Sequence, residues 1–402
     1  MTEKWIETFA KKSRLVIAYS GGLDSSVLLH ALVTYFGSST PIVALHVNHG
    51  ISPNADRWEQ HCQSYCDTLN IPLITYSVSL TQGSNIENEA REARYQVFQR
   101  YICENDALLL GHHALDQVET LFLNLLRGSG ISGLAAMPAV APIGEGEMYR
   151  PFLHHYKETL EAYANEHQIS YIEDESNADI HFNRNYIRHE LLPVLRKRWP
   201  ALQETVLRTV SHCQEAERNL QALARYDYSQ EKNTESGLSI NLIKKLPYER
   251  QVNLLRHWLR EQKVRFPSQV IIKRILKEVV YARSDALPLV QWADTSVRRY
   301  QNYLYLVPEP LTLPNEVIYW DNFPEPCEIK LLRKMIKVTN SPVALLNSPI
   351  TIQYRNGGEY LYWRGHQRSL KKLMQEWQIP PWQRTMIPLV YAGSDLVAVV
   401  GY

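Results

Sequence analysis

One hexapeptide, Ser20-Gly21-Gly22-Leu23-Asp24-Ser25, restricts what this chain can fold into more than any other stretch. It follows Leu15-Val16-Ile17-Ala18-Tyr19, a short apolar run that predicts a buried parallel strand. It precedes Val27, Leu28, Ala31 and Leu32, which repeat at helical spacing. The order is therefore strand, glycine turn, helix. The first amides of a helix lack intrahelical acceptors, and the dipole places partial positive charge beside them. Glycines let the backbone close on an anion with no Cβ in the way. These features predict a phosphate site. The competing reading is a glycine turn without a ligand, and the agreement of strand, full hexapeptide and helix weighs against it.

The common phosphate loops do not fit. G-x-x-x-x-G-K-[ST] needs a Lys after its second Gly, whereas Leu23 and Asp24 follow Gly22; G-x-G-x-x-G fails too. The S-G-G-x-D-S pattern resembles the PP-loop of the N-type ATP pyrophosphatases, which split ATP between its α and β phosphates. The resemblance implies that Ser20, Gly21, Gly22, Leu23, Asp24 and Ser25 bind ATP, with Asp24 beside the accompanying Mg2+.

A chain of 402 residues exceeds one ordinary core, so two or three domains are expected. The N-terminus is polar, no apolar run reaches membrane-spanning length, and the five cysteines suggest no disulfide framework. A cytoplasmic protein is expected. Net charge is only +1, but from Lys244 to Arg283 eleven Lys or Arg face three Glu. Arg184 to Arg198 and Arg355 to Lys372 are basic as well. A solvated helix face accounts for any one of these runs. Three of them downstream of an ATP site point toward a polyanion.

Strand–helix alternation continues beyond the hexapeptide. Ile42–Val47 predicts a second strand that ends in Asn48-His49-Gly50, and Pro72–Val78 a third. A long helix is expected over Asn85–Glu104, with Asn85 as N-cap. Its Arg91, Arg94 and Tyr95 lie close together at i,i+3 and i,i+4, an arrangement that Glu–Arg pairing on a solvated helix explains equally well. Ala107–Gly111 predicts a fourth strand, delivering His112-His113 and then Asp116 and Glu119 on one face of a helix start. Ligands bind beyond the carboxyl ends of such strands. The His-His-x-x-Asp spacing lacks the His-x-x-x-His of zincins, so a polar site for a cationic or aminated substrate is the better reading. Gly128–Gly133 reads as a flap or a plain helix cap.

Ser170–Glu173 is expected as a short strand. Arg184 and Arg188 fall i,i+4 on one helix face, a spacing that suits phosphate contacts. From Ala201 the pattern turns helical, with stretches at Leu202–Tyr226, Tyr248–Gln262 and Ser268–Tyr281, then a strand pair near Trp292–Val307. The fold class expected is α/β: an N-terminal doubly wound, mainly parallel sheet, then a helical domain and a small α+β domain. The expected boundaries are a catalytic domain at 1–200, a mainly helical domain at 201–307, a linker at 308–314 and a C-terminal domain at 315–402.

Over nearly its whole length the chain resembles the tRNA(Ile)-lysidine synthetase family. The resemblance rests on the PP-loop, the Asn85–Tyr95 helix, Gly111-His112-His113-x-x-Asp116-Gln117-x-Glu119-Thr120 and Asn183-Arg184-x-x-Ile187-Arg188. It also rests on Arg355-x-Gly357-Gly358-Glu359, Leu370-Lys371-Lys372-Leu373 and Ile379–Arg384. It implies an ATP- and Mg2+-dependent ligase that joins free L-lysine to C2 of the wobble cytidine of a CAU-anticodon tRNA(Ile), through an adenylated cytidine. Asp24, Arg91, His113 and Asp116 are the catalytic candidates. Arg94, Asp116, Glu119, Arg184, Arg188, Lys371 and Lys372 are the candidates for binding lysine or tRNA. Which of Asp116, Glu119 and His113 binds or deprotonates the lysine amine stays open, and a homodimer is compatible with the sequence. The alternatives are a PP-loop tRNA thiolase, for which Cys62 and Cys66 are the only close pair, and a non-catalytic RNA-binding module.

Overall fold

Apolar strands alternating with amphipathic helices fold as a parallel sheet covered on both faces, and the first half of the chain does so. The computed structural model describes residues 3–37, 39–50, 54–78, 86–231, 237–262, 264–283, 286–308, 317–323, 325, 327–329, 334–336 and 348–402. The chain divides into two units, Met1–Ala222 and Leu223–Tyr402. The division falls inside one long helix.

The first unit runs α1 (Glu3–Phe9), β1 (Arg14–Ala18), α2 (Leu23–Phe36), β2 (Ile42–Asn48), α3 (Ala55–Thr68), β3 (Leu73–Ser77), α4 (Ile86–Tyr101) and β4 (Asp106–Leu109). It continues with α5 (Ala114–Leu126), α6 (Ile131–Leu134), β5 (Val140–Ile143), β6 (Gly146–Tyr149), α7 (Lys157–Glu166), α8 (Asn183–Tyr186), α9 (Leu192–Arg198) and the long helix α10 (Leu202–Ser229). The sheet order is β3-β2-β1-β4-β6-β5. The first five strands of that order are parallel, and only the edge strand β5 is antiparallel. The expected doubly wound, mainly parallel sheet is therefore present. The direction of strand addition reverses between β1 and β4, the place where such sheets bind ligands.

Side-chain alternation along β1 builds both cores. Leu15 and Ile17 join Phe9, Leu28, Leu32 and Ala164 on one face. Val16 joins Phe98, Ile102 and Leu108 on the other. The two faces are thus fully buried, which explains why β1 reads as a continuous apolar run rather than an alternating one.

Three local expectations need correction. Ser170–Glu173 is not a strand: it has no ladder partner, and Ile172 N–H instead donates to Gly21 O at 2.8 Å. The helix expected to reach Glu104 ends at Tyr101; its expected cap, Asn85, lies outside the described residues, as do positions 309–314 of the expected linker. The helix expected over Ser268–Tyr281 is regular only over Gln269–Arg274 and widens into a π turn at Ile275–Val280.

The second unit contains β7 (Gly237–Ser239), α11 (Ile240–Lys245), α12 (Tyr248–Glu261), α13 (Gln269–Arg274), β8 (Leu289–Trp292), β9 (Thr295–Tyr300) and β10 (Tyr303–Pro308). Trp258, Ile275, Val297 and Leu304 sit in its first core, between helices and the four-stranded sheet β7-β10-β9-β8. Then follow β11 (Ile318–Tyr319), β12 (Cys327–Ile329), β13 (Lys334–Ile336), β14 (Ile350–Gln353), β15 (Tyr360–Trp363), β16 (His366–Ser369), α14 (Leu370–Glu376), α15 (Pro381–Arg384), β17 (Leu389–Ala392) and β18 (Asp395–Val399). Here the strands are antiparallel, so the helical middle region and the small α+β end are both present.

Candidate active site

The parallel strands all point their carboxyl ends to one edge, and the functional side chains collect there. After β1 the chain turns through Gly21, whose φ of +81° is a left-handed conformation that suits glycine. A Cβ at Gly21 would also lie 2.8 Å from Cys62 Sγ. Ser25 Oγ donates to Gly22 O at 3.0 Å and lies 3.1 Å from Ser20 Oγ. Gly22, the N-cap of α2, has no side chain with which to cap it. The hexapeptide is thus folded back on itself at a helix N-terminus, the arrangement an oligophosphate requires.

Asp24 lies in the first turn of α2. Its Oδ1 is buried and has no hydrogen-bond partner. Burial pushes the carboxyl above its ordinary value, with His113 opposing that shift and Asp116 adding to it. Gly111, just past β4, packs so tightly here that a Cβ would lie 2.9 Å from the carbonyl of Asp24. This close approach across the β1–β4 reversal brings the His112-His113 segment onto the loop.

Residues His113 to Asp116 form a reciprocal helix cap. Leu115 N–H donates to His113 Nδ1 at 3.2 Å, and His113 N–H donates to Asp116 Oδ2 at 2.8 Å. An accepting Nδ1 leaves the proton of the neutral ring on Nε2. That nitrogen lies 3.7 Å from both Asp24 Oδ2 and Asp116 Oδ2. His113, expected as a candidate for deprotonating lysine, therefore turns its Nε2–H toward two carboxylates, each just beyond hydrogen-bond distance.

Arg184 and Arg188 meet the acidic face of α5. Arg184 Nη2 donates to Asp116 Oδ1 at 2.6 Å, and its Nε donates to Glu119 Oε2 at 2.6 Å. Arg188 Nε donates to Glu119 Oε1 at 2.5 Å and its Nη2 to Glu119 Oε2 at 3.1 Å. Glu119 is completely buried. Burial works against the charge of Asp116, yet Arg184, the two histidines and the His113 N–H hold its carboxyl at about 2. The i,i+4 spacing placed both arginines on one face, as expected, but that face meets carboxylates of the same chain.

The α4 arginines line the same edge. Arg91 stacks on Tyr95, its Cζ 5.0 Å from the ring centre, and Arg94 donates to His49 Nε2 at 3.4 Å. Burial and Arg94 together hold His49 near 4. Two further residues belong here: His46, which lies in the strand-end segment read from the sequence, and Arg150, which sequence reasoning did not single out. His46, at the end of β2, approaches Tyr19 O at 2.9 Å, and Arg150, directly after β6, reaches His112. The only signal for Arg150 is a cation immediately following a strand end. Lys371 and Lys372 lie in the other unit, exposed on α14.

Comparison with known proteins agrees with this geometry. Residues 1–195 match a model described as a PP-loop domain. Residues 238–305 match a TilS substrate binding domain, and residues 350–402 a TilS substrate C-terminal domain. A tRNA(Ile)-lysidine synthase of Legionella pneumophila (strain Paris) is 41% identical over 100% of this chain and 94% of its own length. The chain belongs to the tRNA(Ile)-lysidine synthase family.

Another member of that family, from Coxiella burnetii (strain RSA 493 / Nine Mile phase I), is 41% identical over 99% of this chain and 91% of its own. Among solved structures, a U34-tRNA thiolase of Methanococcus maripaludis covers 52% of this chain and 74% of its own at 16% identity, with a TM-score of 0.45. Cys62 and Cys66, the pair on which a sulfur chemistry would depend, are both fully buried in the core. Burial pushes each thiol up to about 12, where no reactive thiolate forms near neutral pH. Among the described residues, no helix is long and apolar enough to cross a membrane.

Proposed function

We propose that this protein joins free lysine to C2 of the wobble cytidine of a CAU-anticodon tRNA(Ile), using ATP, and so converts reading from AUG to AUA. The observation that carries this reading is full-length similarity to tRNA(Ile)-lysidine synthases in a chain whose PP-loop keeps its complete hexapeptide at a strand–helix junction.

In this reading the C2 oxygen of the cytidine attacks the α-phosphorus of ATP, and pyrophosphate leaves. The ε-amine of lysine then attacks C2, loses a proton, and AMP leaves. Ser20, Ser25 and the amides of residues 21–25 hold the phosphates at the α2 N-terminus. Asp24 fits a divalent cation, because its Oδ1 is a buried carboxylate oxygen without a partner. Mg2+ bound there would neutralise charge on the departing pyrophosphate. Arg91 and Arg94 are cations for the phosphate or the adduct at the same edge.

Asp116 is the anchor for the lysine ammonium. A carboxylate accepts about four hydrogen bonds, so Asp116 can add one to those from Arg184 and His113 N–H. Glu119 has both oxygens on guanidinium groups, so an ammonium reaching it must compete with Arg188. Arg188, Arg184, Lys371 and Lys372 are candidates for tRNA contact. Lysine has an ordinary pKa of about 10.4, so its amine must be deprotonated before attack.

Incorporation of radiolabelled lysine into a CAU-anticodon tRNA(Ile) transcript, with ATP and Mg2+, tests the reading. Label that requires ATP and vanishes in Asp24→Ala is expected. Failure of the folded wild type to label the transcript, with ATP consumed on another RNA, would overturn it.

A further inference from the structure

Arg150 is only 4% exposed. Its Nη1 donates to Pro138 O at 2.7 Å, its Nη2 touches Met148 Sδ at 3.4 Å, and its Nε donates to His112 Nδ1 at 3.3 Å. Its remaining polar neighbour is the hydroxyl of Tyr95, and Arg91 is a second cation nearby. No carboxylate pairs with it among the described residues. Burying a guanidinium without a counter-ion is destabilising, so a fold that keeps one calls for a use. The direction of Nε gives that use. It aims at a histidine at the carboxyl end of β4, beside Asp116 and Arg184.

We infer that Arg150 is a positioning residue, whose Nε–H bond to Nδ1 fixes His112 as a neutral imidazole carrying its proton on Nε2. His112 is then a hydrogen-bond donor toward an oxygen of the bound nucleotide or base, and not a proton acceptor. The chemistry is that of a ring nitrogen already occupied: Nδ1 cannot take a proton while it accepts one from a guanidinium. The charges around the ring act in the same direction. Burial, then Arg150 from the end of β6, Arg184 from α8 and Arg91 from α4, favour the neutral ring, and Asp116 from α5 alone opposes them, leaving His112 near 3. Tyr95 bonds both Arg91 and Arg150, and His113 is the next residue in the chain. A neutral histidine donor keeps its function at every physiological pH, which an imidazolium with an ordinary pKa of about 6.5 does not.

This inference places His112 in the ligation reaction and rests there on the proposed function, but its first test does not depend on activity. In the full chain labelled with 15N-histidine, the His112 signals are identified by their loss in His112→Ala. A protonated Nε2, an unprotonated Nδ1 and no titration between about pH 8 and 5 are expected. A proton on Nδ1, or a midpoint near 6.5, would overturn the inference whatever the enzyme makes.

The second test uses lysine incorporation. Arg150→Gln is expected to lower kcat about a hundredfold, with KM for ATP little changed, and to let His112 take up a proton at a higher pH than in the wild type, because one of the cations beside it is gone while burial, Arg184 and Arg91 remain. The ratio of variant to wild-type rate then falls further on the acid side. The double variant Arg150→Gln/His112→Ala should be no slower than His112→Ala alone. Losses that simply multiply, or a ratio independent of pH, would reduce Arg150 to a packing role. If the wild type incorporates no lysine while the nitrogen signals are as expected, the functional reading fails and the tautomer assignment stands.

Discussion

Two carboxylates on opposite sides of the β1–β4 reversal are treated in contrary ways. Glu119, on α5, is fully buried and gives both oxygens to Arg184 and Arg188. Asp24, on α2, has a buried oxygen that bonds to nothing. Burial raises the free energy of a charge wherever it occurs, and only a partner offsets the rise. Glu119 has its partners within the chain and so belongs to the architecture. Asp24 Oδ1 has no partner among the described residues, and the cation proposed above would supply one. The difference separates a carboxylate neutralised by its own chain from one whose partner, in the proposed function, is a bound cation.

The sharpest way to break this contrast is Asp24→Ala. Lysine incorporation should fall by at least about a thousandfold, a size typical of losing transition-state charge stabilisation. Thermal unfolding without nucleotide should hardly change. A variant that keeps a tenth of wild-type incorporation would remove Asp24 from the chemistry.

Glu119→Gln should show the opposite profile. It keeps the shape but leaves two guanidinium groups without their anion, and a loss of about 3 kcal/mol in urea unfolding is expected. An unchanged midpoint would mean that Arg184 and Arg188 find other partners at no cost.

Acid titration extends the comparison to Asp116. Its folded-state pKa, about 2, lies below the ordinary 3.8. Its stabilisation is therefore complete above about pH 4 and is lost as pH falls through about 2, about 2 kcal/mol in all. Asp116→Asn should flatten that part of the unfolding curve; an identical acid limb in both proteins would refute the assignment.

The smallest effect is the most diagnostic. Asp24 is raised, so its charge opposes folding near neutral pH. Asp24→Asn should slightly stabilise the unliganded protein while abolishing ligation, as substitutions at strained functional sites do. Calorimetry of wild type and variant at pH 7 decides it, and a destabilised variant would count against the contrast drawn here.

What was legible in the sequence follows the range of the forces involved. The β1–loop–α2 unit was readable because its signals are local: a β-branched run, two glycines and a helical period within twenty residues. The face carrying Arg184 and Arg188 was readable from spacing. Its partners were not, because spacing tells which side chains share a side and nothing about what approaches it. Ser170–Glu173 looked like a strand because Tyr171 and Ile172 are strand-prone residue types, but such a segment becomes a strand only where a ladder is open to it. Arg150 was missed for the same reason that the partners of Glu119 were. A lone charged residue carries no period, and its meaning depends on a neighbour far away in the chain. Residues His112 and Asp116, by contrast, follow a strand end directly, where position alone implies a site.

The bond from Ile172 N–H to Gly21 O carries a consequence for biosynthesis. The nucleotide cradle is encoded within the first 25 residues but is tied shut by a residue about 150 positions later, an interval of roughly 8 to 30 seconds on a translating ribosome. The Gly21 carbonyl therefore gains this donor only after the sheet has received its last parallel strand. A fragment that stops short of Ile172 lacks this bond.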